Sequence, residues 1–446
     1  MKALRQAPGP KGHFLLGNLP DFGHDLLGFF LECSRKYGDV VSLRLATFPA
    51  CLLNHPKHFE YVLITNHRNF IKHSFFWRHV MTLFGESLLT SEGDSWLRRR
   101  KLAAPAFHGK RIESYGRVMV DYGERMINKW RDGEVRNIHE DMMYLTMEIV
   151  AKTLFDIEMT GAVADEVGQA FSMAAAEVSV RFRRPFKIPE SLPIPGNVRY
   201  RRAVRRLNEL VYGIIKERRT DQTDRGDLLS MLMAARDGDG EAMSDEQLRD
   251  EVITLFLAGH ETTALVLTWT WYLLSLHPEK EDRLFTELKD VLGGRTPTVD
   301  DIPRLRYTEM VVLESMRLYP PAYTVGREAV ASCEIGGYHV PRGTTLFISP
   351  WVTHRDERYF KKSEDFEPER WGDDLIKRLP KLAYLPFGAG PRICIGNSFA
   401  LLEATLLLAT IARKFKLRLV SNQPVKPFPS ITLRPCAEIL MSVTTR

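Results

Sequence analysis

The feature that most constrains the fold is a single long helix predicted for residues 244–276. Ser244 and Gln247 have the spacing of a capping box, and Pro278 ends the run. A helix of about 32 residues extends for about 48 Å, longer than most helices of globular proteins. Only a large core can bury it, and the 44% hydrophobic residues of this 446-residue chain are sufficient for such a core.

A membrane-spanning helix is the alternative to a core helix. Residues 252–274 are apolar except for His260, Glu261 and several threonines. However, a carboxylate at mid-span is costly in lipid, and the sequence has no second segment of this kind. The first residues, MKALRQAPGPKGHFLLGNLPDF, have neither the apolar centre of a signal peptide nor the length of a membrane anchor. We therefore expect a soluble, cytoplasmic protein without a transmembrane anchor.

The polar interruption of this helix, AGHETT at residues 258–263, indicates a function. Gly259 weakens the helix, and the hydroxyls of Thr262 and Thr263 can bond to the preceding turn, so we expect a local bulge. Glu261 and Thr262 would then be an acid and a hydroxyl able to relay protons. The alternative is a core carboxylate that is satisfied by hydrogen bonds.

The rest of the chain predicts a mainly α protein with a minor β portion (α+β). Helical periodicity covers residues 118–131, 139–156, 165–182, 202–219, 279–292, 307–318 and 397–415. Short strands with turn residues are predicted in residues 40–55 and 333–349. No repeat, low-complexity tract or linker marks a domain boundary, so we expect one domain, with a β-rich part at about 35–60 and 325–350.

Charge and cysteine content exclude several classes of protein. The net charge of +6 results from 62 basic and 56 acidic residues, an excess too small to indicate nucleic-acid binding. Basic residues are concentrated at 181–219, where a solvated helix face is the plain interpretation and an acidic partner or membrane surface the alternative. The five cysteines are scattered and lack zinc-finger spacing, which fits a reducing compartment.

One cysteine has a distinctive setting, the loop FGAGPRICIG at residues 387–396. Its glycines and proline disfavour a helix, and an apolar helical segment follows directly. Cys394 therefore lies just ahead of a helix N-terminus, a position that favours the thiolate.

Three further patterns add charged residues that can act together. Glu314 and Arg317 are at i and i+3 on one helix face, and Arg370 in the loop segment FEPERW could join them. Trp96 and Arg100, at i and i+4, present an indole N–H and a guanidinium to one side, a suitable clamp for a carboxylate.

In this order and spacing the patterns resemble those of the cytochrome P450 family, the haem-thiolate monooxygenases. The wording of AGHETT and of the cysteine loop is most similar to soluble bacterial members that resemble fatty-acid and eukaryotic-type hydroxylases. The family's F-x-x-G-x-R-x-C-x-G pattern is met by Phe387, Gly390, Arg392, Cys394 and Gly396. The central-helix pattern is met by residues 258–263, and the resemblance spans essentially the whole chain.

The resemblance implies a single haem domain over residues 1–446, with haem b as cofactor and O2 as co-substrate. Cys394 is expected to be the axial thiolate ligand of the iron. Residues expected to contact the haem are Trp96, Arg100, Ala258, Gly259, Arg327, Phe387, Gly390, Arg392 and Gly396, although Arg327 and Arg392 could also be plain surface charges. Glu314, Arg317 and Arg370 resemble the family's structural triad, and Glu261 and Thr262 its proton-delivery pair.

The implied reaction is hydroxylation or epoxidation of a hydrophobic small molecule, such as a fatty acid or terpenoid. The short segment after Cys394 has no dinucleotide loop, so we expect no fused reductase and no bound flavin or nicotinamide. Electrons would come from a separate ferredoxin or flavodoxin that meets Arg378, Lys381 and Arg392, and the protein would be a monomer. A peroxide-driven peroxygenase and a non-catalytic haem-thiolate sensor are the alternatives.

By the same resemblance, the substrate pocket is expected to be apolar and aromatic. Its predicted lining is Phe75, Phe76, Trp77, Met81, Leu83, Leu88, Leu89, Leu255, Ala258, Thr262, Ala322, Thr324, Val325, Ser430, Ile431 and Thr432.

Overall fold

The computed structural model describes residues 5–72, 81–159, 162–182, 188–221, 223–236, 240–421 and 423–446. It is mainly helical with a minor β portion, as the sequence predicts. The helices are α1 (Leu19–His24), α2 (Leu26–Tyr37), α3 (Pro56–Glu60), α4 (Met81–Phe84), α5 (Gly93–Ala103), α6 (Gly109–Ile127), α7 (Ile138–Phe155), α8 (Ala162–Phe182), α9 (Pro195–Asp221), α10 (Leu228–Ala234), α11 (Asp245–Leu276), α12 (Pro278–Leu292), α13 (Arg306–Leu318), α14 (Pro350–Thr353), α15 (Leu375–Arg378) and α16 (Asn397–Ala412). The strands are β1 (Val40–Leu45), β2 (Phe48–Leu53), β3 (Phe70–Ile71), β4 (Val135–Asn137), β5 (Val325–Ala329), β6 (Cys333–Ile335), β7 (Tyr338–Val340), β8 (Thr345–Ile348), β9 (Phe415–Leu419), β10 (Pro427–Pro429), β11 (Leu433–Pro435) and β12 (Leu440–Thr445).

Helix α11 is the long helix that the sequence predicts. Both bonds of its capping box are present, with the Gln247 amide N–H and the Ser244 hydroxyl oxygen 3.2 Å apart. It packs against α7, α9, α13 and α16 in the main hydrophobic core. Within the described part of the chain it is the one helix long and apolar enough to span a membrane, but most of its apolar window is buried inside the protein. The predicted bulge was wrong, because the helix is α-helical throughout.

The β-rich part is built from two distant stretches of chain. One sheet has the order β1-β2-β8-β5-β3, with β1 and β2 antiparallel and β2 and β8 parallel. The two predicted strands of residues 40–55 are confirmed. In the second predicted region β6 and β7 form a hairpin, whereas β8 pairs with β2 and β5. The sheet thereby joins residues 40–53 to 325–348.

Two small sheets near the C-terminus were not predicted. Strands β4, β12 and β9 form one of them, and β10 and β11 form an antiparallel hairpin, called here the β10–β11 hairpin (residues 427–435). This hairpin is attached through distant residues: the backbone N–H of Leu433 donates to the carbonyl of Pro321 at 3.0 Å, and the indole N–H of Trp269 donates to the Leu433 carbonyl at 2.9 Å. Such long-range contacts leave no local signal in the sequence.

The basic segment at 181–219 divides into buried and solvated residues. Arg181 is buried and pairs with Glu190 at 2.6 Å. Arg218 is also buried and pairs with Asp227. Most other basic residues of α9 lie on its exposed face, which agrees with a solvated helix surface.

Candidate active site

The cysteine loop folds back on itself ahead of α16. The Cys394 N–H donates to the Phe387 carbonyl at 3.0 Å, which closes the loop around the intervening glycines. Burial raises the pKa of the Cys394 thiol, and the backbone N–H of Gly396 with the cations Arg100 and Lys72 opposes that rise. One loop amide and two cations from elsewhere in the chain therefore favour the thiolate form of Cys394.

Two glycines of the loop have different roles. Gly390 has φ +70°, and a Cβ there would lie 1.9 Å from the carbonyl oxygen of Leu63, so only glycine fits. At Gly396 the atom of the described residues that a Cβ would meet is a Phe107 ring carbon at 3.7 Å, an ordinary contact. Gly390 thus allows a close approach of two backbone segments, whereas Gly396 contributes its amide to the sulfur.

A cavity of about 1140 Å³ lies between the cysteine loop and α11. Cys394 of the loop and Thr262 of α11 both line it. The walls are mainly apolar, and the cavity extends outward between α1, α2 and the β10–β11 hairpin. Such a space is large enough for both a flat cofactor and a hydrophobic ligand.

Four cations, Lys72, Arg100, Arg327 and Arg392, line this cavity, and Glu92 is a carboxylate close to three of them. Arg392 pairs with Glu92 and stacks on the Trp96 ring at 4.1 Å. Arg100 donates to the Ile393 carbonyl at 3.0 Å, and Arg327 donates to its neighbour's carbonyl at 2.8 Å. Arg392 Nη1 is buried and has no hydrogen-bond partner among the described residues. The cluster has an excess of positive charge that an anionic ligand would satisfy.

The fourth cation, Lys72, was missed in the sequence. Its ammonium donates to the Leu89 carbonyl at 3.2 Å, and its backbone N–H donates to Glu92 at 2.6 Å. Burial, together with the neighbouring Arg327 and Arg392, lowers the pKa of Lys72 to about 7. Burial likewise lowers the pKa of Arg327 to about 10, and Arg392 adds to the effect. A lone lysine outside any motif gave no signal, since only the tertiary fold brings it to the cluster.

Glu261 and Thr262 are neighbours but point to different surroundings. The Thr262 hydroxyl lines the cavity and donates to the Ala258 carbonyl at 2.7 Å. Glu261 is buried and does not line the cavity; its Oε1 accepts from Thr432 Oγ1 at 2.5 Å and from Arg434 Nε at 2.6 Å. Burial alone would raise the pKa of Glu261, but Arg434 and Thr432 outweigh it and hold the pKa below its ordinary value.

Comparison with known proteins assigns the family. The family model described as Cytochrome P450 matches residues 7–440. "Cyclooctatin synthase" of Streptomyces melanosporofaciens is 37% identical, over 94% of this chain and 92% of the relative. "Cyclooctat-9-en-7-ol 5-monooxygenase" of the same organism is 38% identical over 94% and 90%, and "Pentalenene oxygenase" of Streptomyces avermitilis 35% over 94% and 92%. The chain belongs to the cytochrome P450 family.

As a cytochrome P450, the protein is a haem-thiolate monooxygenase that uses O2, takes electrons from redox partners and acts on hydrophobic small molecules. The residues present fit the haem group. Cys394 lines the cavity and would provide a thiolate ligand, and the four cations with the unpartnered Arg392 nitrogen would suit two propionates. Trp96, Arg100, Ala258, Gly259, Arg327 and Phe387 all line the same cavity as Cys394.

Most of the predicted pocket residues of this cytochrome P450 line the cavity, but three do not. Those that do are Leu88, Leu89, Leu255, Ala258, Thr262, Ala322, Thr324, Val325, Ser430 and Ile431. Leu83 is buried in the core, and Met81 lies at the start of α4, which packs against α11. Thr432 turns away from the cavity because its hydroxyl donates to Glu261. Phe75, Phe76 and Trp77 lie outside the described residues.

Behind the cytochrome P450 cysteine loop, Glu314 organises a buried network. Arg317 donates to both of its carboxylate oxygens, at 2.8 and 2.9 Å, and Arg370 donates to Oε1 at 2.8 Å. The Trp371 indole N–H adds a bond at 2.9 Å. Arg317 also donates to three main-chain carbonyls of residues 354–365. The network ties α13 to the segment that leads into the cysteine loop.

The basic residues expected to meet a redox partner occupy different places. Arg378 and Lys381 are exposed, and Lys381 pairs with Glu60 at 2.8 Å. The Arg392 guanidinium instead turns into the cavity wall, against Glu92 and Trp96. Its assignment to partner binding was therefore wrong.

Proposed function

We propose that this cytochrome P450 hydroxylates or epoxidises a cyclic terpenoid or similar lipid-like molecule. The observation that carries the proposal is the apolar cavity of about 1140 Å³ between Cys394 and Thr262. The names of three relatives, which include cyclooctat-9-en-7-ol and pentalenene, supply the substrate class. A neutral polycyclic molecule suits walls that are mainly apolar.

A fatty acid is the second candidate, and the state of Arg44 counts against it. Arg44 is the cation near the β1–β2 turn that could anchor a carboxylate. Its guanidinium instead donates to the main-chain carbonyls of His13, Phe14, Leu15 and Ala46, at 2.6 to 3.4 Å. A side chain with so many bonds has little capacity for a further anion.

Each residue of the site has an assigned role. Cys394 ligates the iron of haem b, and Lys72, Arg100, Arg327 and Arg392 hold the propionates. When bound, haem supplies the activation of O2. The Thr262 hydroxyl donates its own proton to the Ala258 carbonyl and presents its oxygen to the cavity as an acceptor, and Glu261 is the acid that supplies the proton to be delivered there. Glu314, Arg317 and Arg370 support the loop and touch no reacting atom.

The experiment is a substrate screen followed by turnover. Pentalenene and cyclooctat-9-en-7-ol should shift the haem spin state, whereas dodecanoic acid should shift it less. The protein should then form oxidised product with NAD(P)H and a bacterial ferredoxin or flavodoxin with its reductase. A shift with dodecanoic acid alone would contradict the terpenoid class and leave the monooxygenase reaction standing.

The same assay separates the alternatives to a partner-driven monooxygenase. Product with hydrogen peroxide alone, at the rate seen with the redox partners, would identify a peroxygenase. A spin-state shift without product under either condition would identify a sensor. The pairing of an acid with an alcohol at 261 and 262 supports the monooxygenase, because a sensor has no need of proton delivery.

We further propose that the protein is a soluble cytoplasmic monomer without bound flavin or nicotinamide.

A further inference from the structure

The β10–β11 hairpin contacts both the cavity and the acid Glu261. On one side, residues 427–431 line the cavity. On the other side, Thr432 and Arg434 donate to Glu261 Oε1 at 2.5 and 2.6 Å. Ile431 and Thr432 are adjacent in the chain, so one peptide unit separates the cavity lining from a residue that bonds to Glu261.

The hydrogen bonding between the hairpin and Glu261 does not use every donor and acceptor. Arg434 uses only Nε, while its Nη2 is buried and has no hydrogen-bond partner among the described residues. A bidentate pair would use two nitrogens and two carboxylate oxygens. Here both donors converge on Oε1, so a small displacement of the strand weakens both bonds together.

The hairpin is attached to the rest of the protein at two places, one at Leu433 on β11 and one at Ser430 in the turn. Leu433 is fixed by bonds to Pro321 and Trp269, at 3.0 and 2.9 Å. The Tyr323 hydroxyl donates to the Ser430 carbonyl at 2.6 Å, on the side of the turn. Displacement of the turn by a ligand would therefore pivot the hairpin about Leu433, which lies between Thr432 and Arg434.

Few charged groups lie around Glu261 among the residues that the structure describes. Arg434 on β11 and Thr432 bond to it, His260 is its neighbour on α11, and His139 on α7 lies near both Glu261 and Arg434. Burial lowers the pKa of His139 to about 4 and also lowers that of His260. Above pH 5, Arg434 is therefore the cation that keeps Glu261 ionised.

We propose that Arg434 is a positioning residue that makes the protonation of Glu261 depend on whether the cavity is occupied. A ligand against residues 427–431 loosens the bonds from Thr432 and Arg434, and the buried carboxylate takes up one proton from solvent. Glu261 then becomes a neutral acid that can resupply Thr262. The inference rests on the proposed function for the use of that proton, but the proton uptake itself does not require turnover.

The test is the number of protons taken up when a ligand binds the holoenzyme. Binding is measured by calorimetry in buffers of different ionisation enthalpy, and by spectral titration from pH 5 to 8. The probes are cyclooctat-9-en-7-ol, pentalenene and the linear dodecan-1-ol, none of which titrates in this range. The parent protein should take up a measurable fraction of a proton near pH 6, and its Kd should rise with pH, by at most about ten-fold per unit.

Two variants test whether Glu261 is the group that takes up the proton and whether Arg434 governs that uptake. Proton uptake should vanish in both Glu261→Gln and Arg434→Ala. The glutamine side chain cannot titrate, and in Arg434→Ala the bond that the ligand would loosen is already absent from the ligand-free protein. Thr432→Val, which keeps the charge pair, should give an intermediate value. His139→Gln and the matched control Arg418→Ala, which removes a distant ion pair with Glu281, should behave as the parent does.

If no terpenoid binds, the stability of the ligand-free protein as a function of pH tests the role of Arg434. Without Arg434, burial raises the pKa of Glu261 above its ordinary 4.5, so the carboxylate costs stability as the pH rises through 4.5. The stability gap between Arg434→Ala and the parent should therefore widen from pH 5 to 8, and be constant in the Glu261→Gln background. A pH-independent gap, or equal proton uptake in parent and Glu261→Gln, would overturn the proposal. If neither terpenoid binds but dodecan-1-ol binds with proton uptake, the result would contradict only the proposed substrate class.

Discussion

Thr262 and Glu261 form the pair on which oxygen chemistry depends at the scale of single residues. They are adjacent in sequence, yet only the hydroxyl lines the cavity, whereas the carboxylate is held behind it by Arg434. The Thr262 hydroxyl donates to a carbonyl one turn back, and this bond orients the oxygen as an acceptor toward the cavity. Proton delivery thus requires a hydroxyl in place and an acid whose charge state can change.

Replacing Thr262 by alanine should separate electron consumption from product formation. We expect product per NAD(P)H to fall about ten-fold or more, with electrons appearing as peroxide or water, because the proton is no longer directed. Product and peroxide are measured together with NAD(P)H oxidation. Thr270→Ala is the matched control, since its hydroxyl makes the same bond to Val266 two turns along α11. Coupling as tight in Thr262→Ala as in the control would contradict the role.

Lys72 should contribute to haem retention. Its ammonium lies in the cation cluster that would hold the propionates, and a hydrogen bond between charged groups contributes about 1.5–3 kcal/mol. Lys72→Met should therefore speed haem loss about ten-fold or more, measured as transfer to apomyoglobin. Lys152→Met, which removes a half-buried pair with Asp156 outside the cavity lining, should leave the rate unchanged. Equal rates in the two variants would remove Lys72 from the haem site.

At the scale of elements, the cysteine loop depends on one close backbone approach. Gly388 and Gly390 both have a positive φ, +69° and +70°, but only at Gly390 would a Cβ meet another atom within 4 Å. Gly388→Ala should cost about 1 kcal/mol, the penalty for a left-handed alanine. Gly390→Ala should cost about 2 kcal/mol more, because it also overpacks against Leu63. Urea unfolding of both variants checks the difference, and equal costs would contradict the loop geometry.

The Glu314 network is the second element with a clear energetic consequence. Glu314 and Arg317 are fully buried, and removing one partner from such a pair leaves an uncompensated charge. Glu314→Gln should lower the free energy of unfolding by about 3–5 kcal/mol and reduce haem content. Glu166→Gln, which affects only a surface pair with Arg206, should change stability little. A small effect for Glu314→Gln would show that Arg370 and the main chain suffice.

For the whole molecule, the sequence was informative wherever the signal is local. The long α11 with its capping box, the β1–β2 pair and the cysteine loop follow from periodicity, turn residues and spacing. The features that the sequence did not predict depend on contacts between residues far apart in the chain. Arg434 meets Glu261 across 173 positions, and Lys72 reaches Arg392 only through the fold. Thr432 was misplaced for the same reason, because its partner could not be identified from neighbouring residues.

Residues of the β-rich part and of the helical core line one cavity, and one atom in that lining decides the proposed chemistry. That atom is the sulfur of Cys394, which lines the cavity together with the cation cluster and residues of α11. The most direct test is the absorption spectrum of the reduced protein with carbon monoxide. The parent should have the band that marks a thiolate-ligated haem, and Cys394→Ser should lose it. A retained thiolate band in Cys394→Ser would contradict the ligand assignment and with it the proposed site.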